Sequence, residues 1–371
     1  VENIHKQNLL AVARKQKIDK LPFIARFDLW YNYHLGHGTL PKRYRNWDMI
    51  DIARDQGAGI QIRNIKLWKY EYKNIEVVVD ECSDHTVMEF RTPKGVLTQK
   101  TVLFSKEGMT TEYELEYLFK SVEDYPALEF LLENTILVPY MDDYLKAERM
   151  VKEDGLVFCG DSYSPMQAIM RRIMGYETFF YELFDHQRNV ENLYERMKDV
   201  AWQEIKILAE SPIEMPKVCG NWSEDIHTPI FQKYFVPWLK EVTEFLHAND
   251  KLVQVHIDGE MKRLIPMFLE TGIDVGEAWS PKPMTSLTNA EFKKACGDQV
   301  TIWGGVPSML FQQQYSDKEF DAYIMNLLRE IAPGYNFILG MGDNFPADGD
   351  INRIGRIVEL IDKHGYLPIK K

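Results

Sequence analysis

Apolar residues along this chain gather in short runs separated by longer amphipathic stretches. Runs at 135–139, 155–159, 215–219, 252–256, 273–277, 300–303 and 336–339 read as buried strands. Between them, helical periodicity predicts helices over 192–209, 229–248 (with a kink at Pro237), 260–270, 318–331 and 351–364. Alternating strand and helix units imply a parallel sheet covered by helices. The spacing of the late strands, about 20–35 residues, suits a (β/α)8 TIM-type barrel. A single barrel domain over 1–371 is the expectation, with a doubly wound sheet as the alternative. Upstream, 2–19 is helix-like through Ile4, Leu9, Val12 and Ala13, and 21–29 reads as a strand on which Arg26 and Asp28 alternate. An aromatic, glycine-rich loop is expected from Trp30 to Gly38. Within 60–105 the pattern changes to β-branched alternation at 75–81, 86–90 and 95–102. That predicts an antiparallel β-meander inserted near the N-terminus.

The 371 residues are 45% hydrophobic, enough for a sizeable core, and carry a net charge of −12. Acidity argues against a nucleic-acid partner. No run is long and apolar enough to predict a membrane span, and the polar first twenty residues lack the apolar core of a signal peptide. Cys82, Cys159, Cys219 and Cys296 are widely spaced with no CxxC pair, so free thiols and a cytoplasmic location are expected. No glycine-rich phosphate motif follows a strand.

The chemistry concentrates at strand ends. His256, Asp258, Glu277 and Asp343 each follow a predicted strand. In a parallel barrel such positions share one mouth. One imidazole and several carboxylates form a ligand set suited to zinc, with Glu277 and Asp343 as candidate catalytic carboxylates. His256 and Asp258, two apart, project to one side if the strand persists; a structural histidine and a helix-capping Asp343 are the plainer alternatives. Candidate substrate contacts are Arg26 and Asp28 on the first strand, Asp161 and Tyr163 after the 155–159 strand, and Asn221, Trp222 and Glu224 after the 215–219 strand. His227 lies in the same loop, which Thr228 and Pro229 are expected to end as N-cap and first helical residue. Trp30, Trp222, Trp279 and Trp303 fall at or after strand ends, which predicts an indole-lined pocket for a planar substrate, with plain core as the alternative.

Several segments together resemble the uroporphyrinogen decarboxylase superfamily, a (β/α)8 barrel group. They are 120–125 before a helix, Thr92-Pro93-Lys94-Gly95, Thr228-Pro229 ahead of Phe235-Val236-Pro237-Trp238, and then 255–259, 303–307 and 340–344. One branch is the decarboxylases, whose N-terminal loop is rich in arginine; here Arg26 stands alone between Leu21 and Leu40. The other is the corrinoid-dependent zinc methyltransferases, with a His-x-Cys, Glu, Cys ligand pattern. His256 and Glu277 match its His and Glu, while Asp258 and Asp343 stand where the cysteines would be. Carboxylates in place of thiolates make a harder site, better suited to an oxygen substrate. The resemblance therefore implies an O-demethylase-type methyltransferase. It would move a methyl group from an aromatic methyl ether to the cob(I)alamin of a separate corrinoid protein, with zinc at the mouth and room for a homodimer. The alternatives are a decarboxylase of the same fold, a methylcobalamin:thiol or folate methyltransferase, and a non-catalytic binding barrel.

Overall fold

Runs that are apolar on both faces become parallel strands, because only a sheet covered on both sides buries them completely. The computed structural model describes residues 4–159 and 163–370. Its strands are β1 (Ile24–Ala25), β2 (Gly59–Ile65), β3 (Trp68–Tyr72), β4 (Glu76–Glu81), β5 (Thr86–Thr92), β6 (Gly95–Val102), β7 (Tyr113–Glu116), β8 (Thr135–Pro139), β9 (Gly155–Cys159), β10 (Lys217–Gly220), β11 (Gln254–His256), β12 (Val275–Trp279), β13 (Thr301–Val306) and β14 (Phe337–Met341). Every residue of β9 to β14 is buried.

The parallel strands form two sheets, ordered β1-β2-β9 and β10-β11-β12-β13-β14. A parallel bridge between Phe23 and Leu339 joins the leading edge of β1 to β14. Among the described residues no backbone ladder joins β9 to β10; the Cys159 thiol, 3.5 Å from the Lys217 carbonyl, marks their approach. The architecture is mixed α/β, with helices following the strands. The N-terminal helix His5–Ala13 packs Leu9, Leu10 and Val12 into a cluster with Ile24, Phe158, Val275, Trp303 and Ile338. Thr301, which opens β13, donates to the Val12 carbonyl, so this helix sits at the strands' N-terminal ends. The four cysteines are free thiols.

Several expectations need correction. The first strand is only Ile24–Ala25; Asp28 opens a helix, Asp28–His37, where an aromatic loop was expected. Glycine at 36 lowers helix propensity, but Trp30 anchors this helix in the core and Gly38 closes it in a left-handed cap. Residues 59–65 belong to a parallel sheet, and the antiparallel sheet β4-β5-β6-β7 runs on to Glu116, past 105. The 135–139 run pairs antiparallel with β3 and lies outside the parallel layer. Helix Glu224–Ile230 starts before Pro229, and a π-helical turn, Phe231–Phe235, precedes Val236–His247, so the break falls ahead of Pro237.

Gly155 tests the tightest strand contact. A Cβ there would run into the Ile60 carbonyl across the β2–β9 ladder. Gly155→Ala should cost at least about 3 kcal/mol, at the upper end for overpacking. Gly36→Ala, inside a helix with no atom within 4 Å of the added methyl, should gain about 0.5–1 kcal/mol. Chemical denaturation measures both; equal effects would refute the packing argument.

Candidate functional site

The strands deliver their polar ends to a cavity of about 250 Å³, lined among others by Arg26, Arg63, Asn221, His256, Asp258 and Asp343. Irregular pairing turns the chain there. Register shifts occur between Ile62 and Ile65, Lys217 and Gly220, and Glu277 and Trp279. Within or beside these shifts Asn64, Asn221 and Ala278 take left-handed φ values of 62°, 61° and 68°. Bulges of this kind re-aim side chains at strand ends. Gly220 is required for a further reason: a Cβ on it would lie 2.7 Å from His256 Cβ. The loop from Gly108 to Glu114, leading into β7, lines another side of the cavity. Gly108, at φ 81°, has no room for a Cβ against the Leu29 carbonyl, and Asn64 donates to the Thr110 hydroxyl at 2.5 Å.

His256, Asp258 and Asp343 form a cluster in which one donor atom of each lies within 4.8 Å of the others. Glu277 stands behind this group. Its Oε2 is 2.6 Å from His256 Nδ1 and its Oε1 accepts from Arg63 at 3.0 Å. Burial alone would raise the Glu277 pKa, but Arg63, His256 and Arg26 outweigh it and hold the carboxyl well below the usual carboxylate range. An ionised carboxylate only accepts, so His256 Nδ1 carries the proton. Its Nε2 then faces the cavity, 3.9 Å from Asp258. A histidine whose second nitrogen is fixed by a carboxylate is the usual second layer of a metal site. Burial and then Asp343 push the Asp258 carboxyl up, against His256, Arg26 and Arg171. Arg26 donates to Asp343 at 2.9 Å and lies 3.4 Å from Asp28.

Arg63, Arg171 and Arg172 carry much of the site's charge and were not singled out from sequence. Arg63 sits in a β-rich stretch read as insertion. Arg171 and Arg172 come from a π-helical segment, Ile169–Met174, that periodicity does not reveal. Arg171 lies over the Tyr163 ring, 5.1 Å from its centroid. With the Asn221 amide oxygen turned toward it, Arg171 donates at 2.8 and 3.2 Å.

Arg26, Asp28, Tyr163 and Asn221 line the cavity; Asp161 lies outside the described residues. The tryptophans do not line it. Trp30, Trp222, Trp279 and Trp303 are buried core. Trp222 is ringed edge-on by Phe231, Phe235 and Phe268. Trp279 stacks on Phe292 at 3.6 Å and donates to Asn289. A large indole loses more by facing a charged cavity than by entering these clusters. Glu224 is also drawn away, accepting from the backbone and side chain of Arg263. His227 packs against Trp222 and Phe235.

Two parallel sheets whose C-terminal ends converge on a polar cavity define a protein of the parallel α/β class with its site at the strand mouths. Residues 114–364 match the family described as Uroporphyrinogen decarboxylase (URO-D), and the chain belongs to that family. It is 25% identical over 186 residues to a protein named Uroporphyrinogen decarboxylase from Myxococcus xanthus (strain DK1622), covering 49% of this chain and 50% of that protein. The chain thus spans about half the length of the curated relative it matches. In fold it is similar to a methyltransferase from Methanosarcina mazei, with a TM-score of 0.59 at 12% identity over 98% of this chain and 99% of the other.

Burial pushes the His227 imidazole down to about 4, with the Ser223 carbonyl opposing and Arg171 adding to the fall. The unfolded chain takes up this proton near pH 6.5 and the folded one only near 4. This contribution to stability is therefore complete above about 6.5 and is lost as pH falls toward 4, at about 1.4 kcal/mol per unit. Between pH 7 and 4.5, His227→Phe should lose roughly 2–3 kcal/mol less stability than the parent. Parallel urea-unfolding profiles for the two proteins would rule this out.

Proposed function

We propose that the chain is a metal-dependent methyltransferase that moves a methyl group from an aromatic methyl ether to the cob(I)alamin of a separate corrinoid protein in the cytoplasm. The observation that carries this reading is the cluster of His256, Asp258 and Asp343, with His256 oriented by Glu277. One imidazole nitrogen and two carboxylates fit a divalent ion, and zinc accepts such a set. His256, Asp258 and Asp343 would hold it, and when bound it supplies Lewis acidity toward an ether oxygen. Glu277 and Arg63 would orient the imidazole through Nδ1, Arg26 would steady Asp343, and the 108–114 segment lines one side of the cavity. Among the described lining residues there is no thiol to attack an unactivated methyl carbon, which is why the nucleophile is assigned to the partner. The likeness in fold to a methyltransferase supports this reading. The two parallel sheets are taken as one (β/α)8 barrel with Phe23 and Leu339 at a seam, in one domain spanning the chain and carrying the antiparallel sheet as an insertion.

A decarboxylase acting on a carboxylated substrate is the second reading. Arg171 favours it, since this guanidinium lines the cavity beside the Asn221 amide and the Tyr163 ring, where it could meet a substrate carboxylate.

Elemental analysis of the full chain, purified without chelator, separates the two. About one divalent ion per chain is expected. His256→Ala and Asp343→Asn should each lower occupancy at least tenfold, and Glu277→Gln should weaken binding about 10–100-fold through the histidine. Methyl transfer from 2-methoxyphenol should require an added corrinoid protein. Metal-free protein that releases carbon dioxide from a carboxylated tetrapyrrole would replace this reading with the second.

A further inference from the structure

We propose that a second chamber, beside the metal-donor cavity and sharing Tyr163 and Arg172 with it, binds the ring of a neutral, single-ring methoxyarene. The inference deepens the methyltransferase reading and rests on it for the identity of the methyl donor. The chamber holds about 420 Å³ between β3, the antiparallel sheet and the helical segments that carry Leu131, Ala168, Arg172 and Val200, within the range of small-molecule sites.

Its walls follow from simple periodicities. Tyr70 and Tyr72 of β3 stand two apart and so face one way, as do Met88 and Phe90 of β5. On helix Gln187–Glu210, Met197, Val200, Ala201 and Glu204 recur at three- and four-residue spacing and make the opposite wall. The rings are arranged for a planar guest. Tyr70 and Tyr72 are nearly parallel, 6.4 Å apart and 11° between planes, and Phe90 meets Tyr72 edge-on at 5.4 Å. Burial pushes the Tyr72 phenol up to about 12, so it remains a neutral hydroxyl.

Among the described residues, the aromatic side chains lining the metal-donor cavity are Tyr113 and Tyr163, while the tryptophans are committed to the core. Both cavities are lined by Glu112, Glu114, Tyr163 and Arg172. At this partition Arg172 pairs with Glu114, and the Tyr163 ring lies 5.1 and 5.4 Å from the Arg171 and Arg172 guanidiniums. Glu112 and Glu114 face the single guanidinium of Arg172 there, and Glu204 adds a further carboxylate to the chamber, a balance that disfavours an anionic guest. A ring held by Tyr72 and Phe90 would turn its oxygen-bearing edge toward Tyr163 and the donor cluster beyond. π-Helical turns such as the one carrying both arginines concentrate at functional sites.

The test uses the full chain and 2-methoxyphenol as probe, with binding read by saturation-transfer NMR and metal by elemental analysis. The parent protein should bind the probe at millimolar concentration or below. Ala201→Trp and Met88→Trp fill the chamber from opposite walls; each should weaken binding at least about tenfold with metal content unchanged. Asp343→Asn should lose metal and keep the probe. Absence of binding to the parent, or unchanged binding in a folded tryptophan variant, overturns the proposal and leaves the metal reading standing. Chamber-dependent binding in a protein that holds no metal overturns the metal reading instead. If neither tryptophan variant folds, crystals of the parent soaked in 2-methoxyphenol decide: density against Tyr72 and Phe90 supports the chamber, and density elsewhere or none refutes it.

Discussion

One buried carboxylate organises the site. Glu277, from β12, is held between Arg63 of β2 and His256 of β11 with all three side chains almost fully buried. β2 belongs to the three-stranded parallel sheet and the other two strands to the five-stranded one, so this charge network links the two sheets through the interior. Removing ions from water costs several kcal/mol each, and a lone buried charge is far worse than a matched set. The three residues are therefore interdependent. Together they fix which imidazole nitrogen is presented to Asp258 and Asp343, and the geometry of the donor cluster is a consequence of that pairing.

The backbone contributes a second constraint. Asn64, Asn221 and Ala278 hold left-handed conformations next to Arg63, Gly220 and Glu277. For residues other than glycine such a state is costly by about 1–3 kcal/mol and persists only where the surroundings enforce it. Here β10 and β12 are buried throughout and β2 over its first three residues, and the irregularities lie toward the strands' C-terminal ends. The strain sits where side chains change direction from packing to the cavity.

Much of this was legible in sequence, for identifiable reasons. The strand at 155–159 announces itself because an apolar run buried on both faces leaves few other readings, and 95–102 because it is β-branched and bounded by turn residues. His256, Asp258 and Asp343 could be grouped because a polar residue ending an apolar run is anomalous. Arg63 could not be linked to Glu277, because the pairing spans two sheets and 214 positions. Arg171 and Arg172 were hidden by a π-helical turn, which has no periodic signature. The tryptophans misled because a strand end has two sides; Trp222 and Trp279 turn toward the helices. The helix Asp28–His37 was obscured by glycine and aromatic content, local preferences that tertiary burial of Trp30 overrides.

The antiparallel sheet β4-β5-β6-β7 stands outside the parallel layers, in the position of an appendage. Its loop from Gly108 to Glu114 argues otherwise. That loop is pressed against Leu29, bonded to Asn64, and forms part of the wall of both cavities through Glu112 and Glu114. The insertion is thus not a separable module. Trimming it would not yield a smaller protein with the same chemistry, and transplanting the metal-donor residues alone onto a bare scaffold would leave the pocket open to bulk solvent. In this chain the outer sheet and the lining of both cavities are therefore one structural unit.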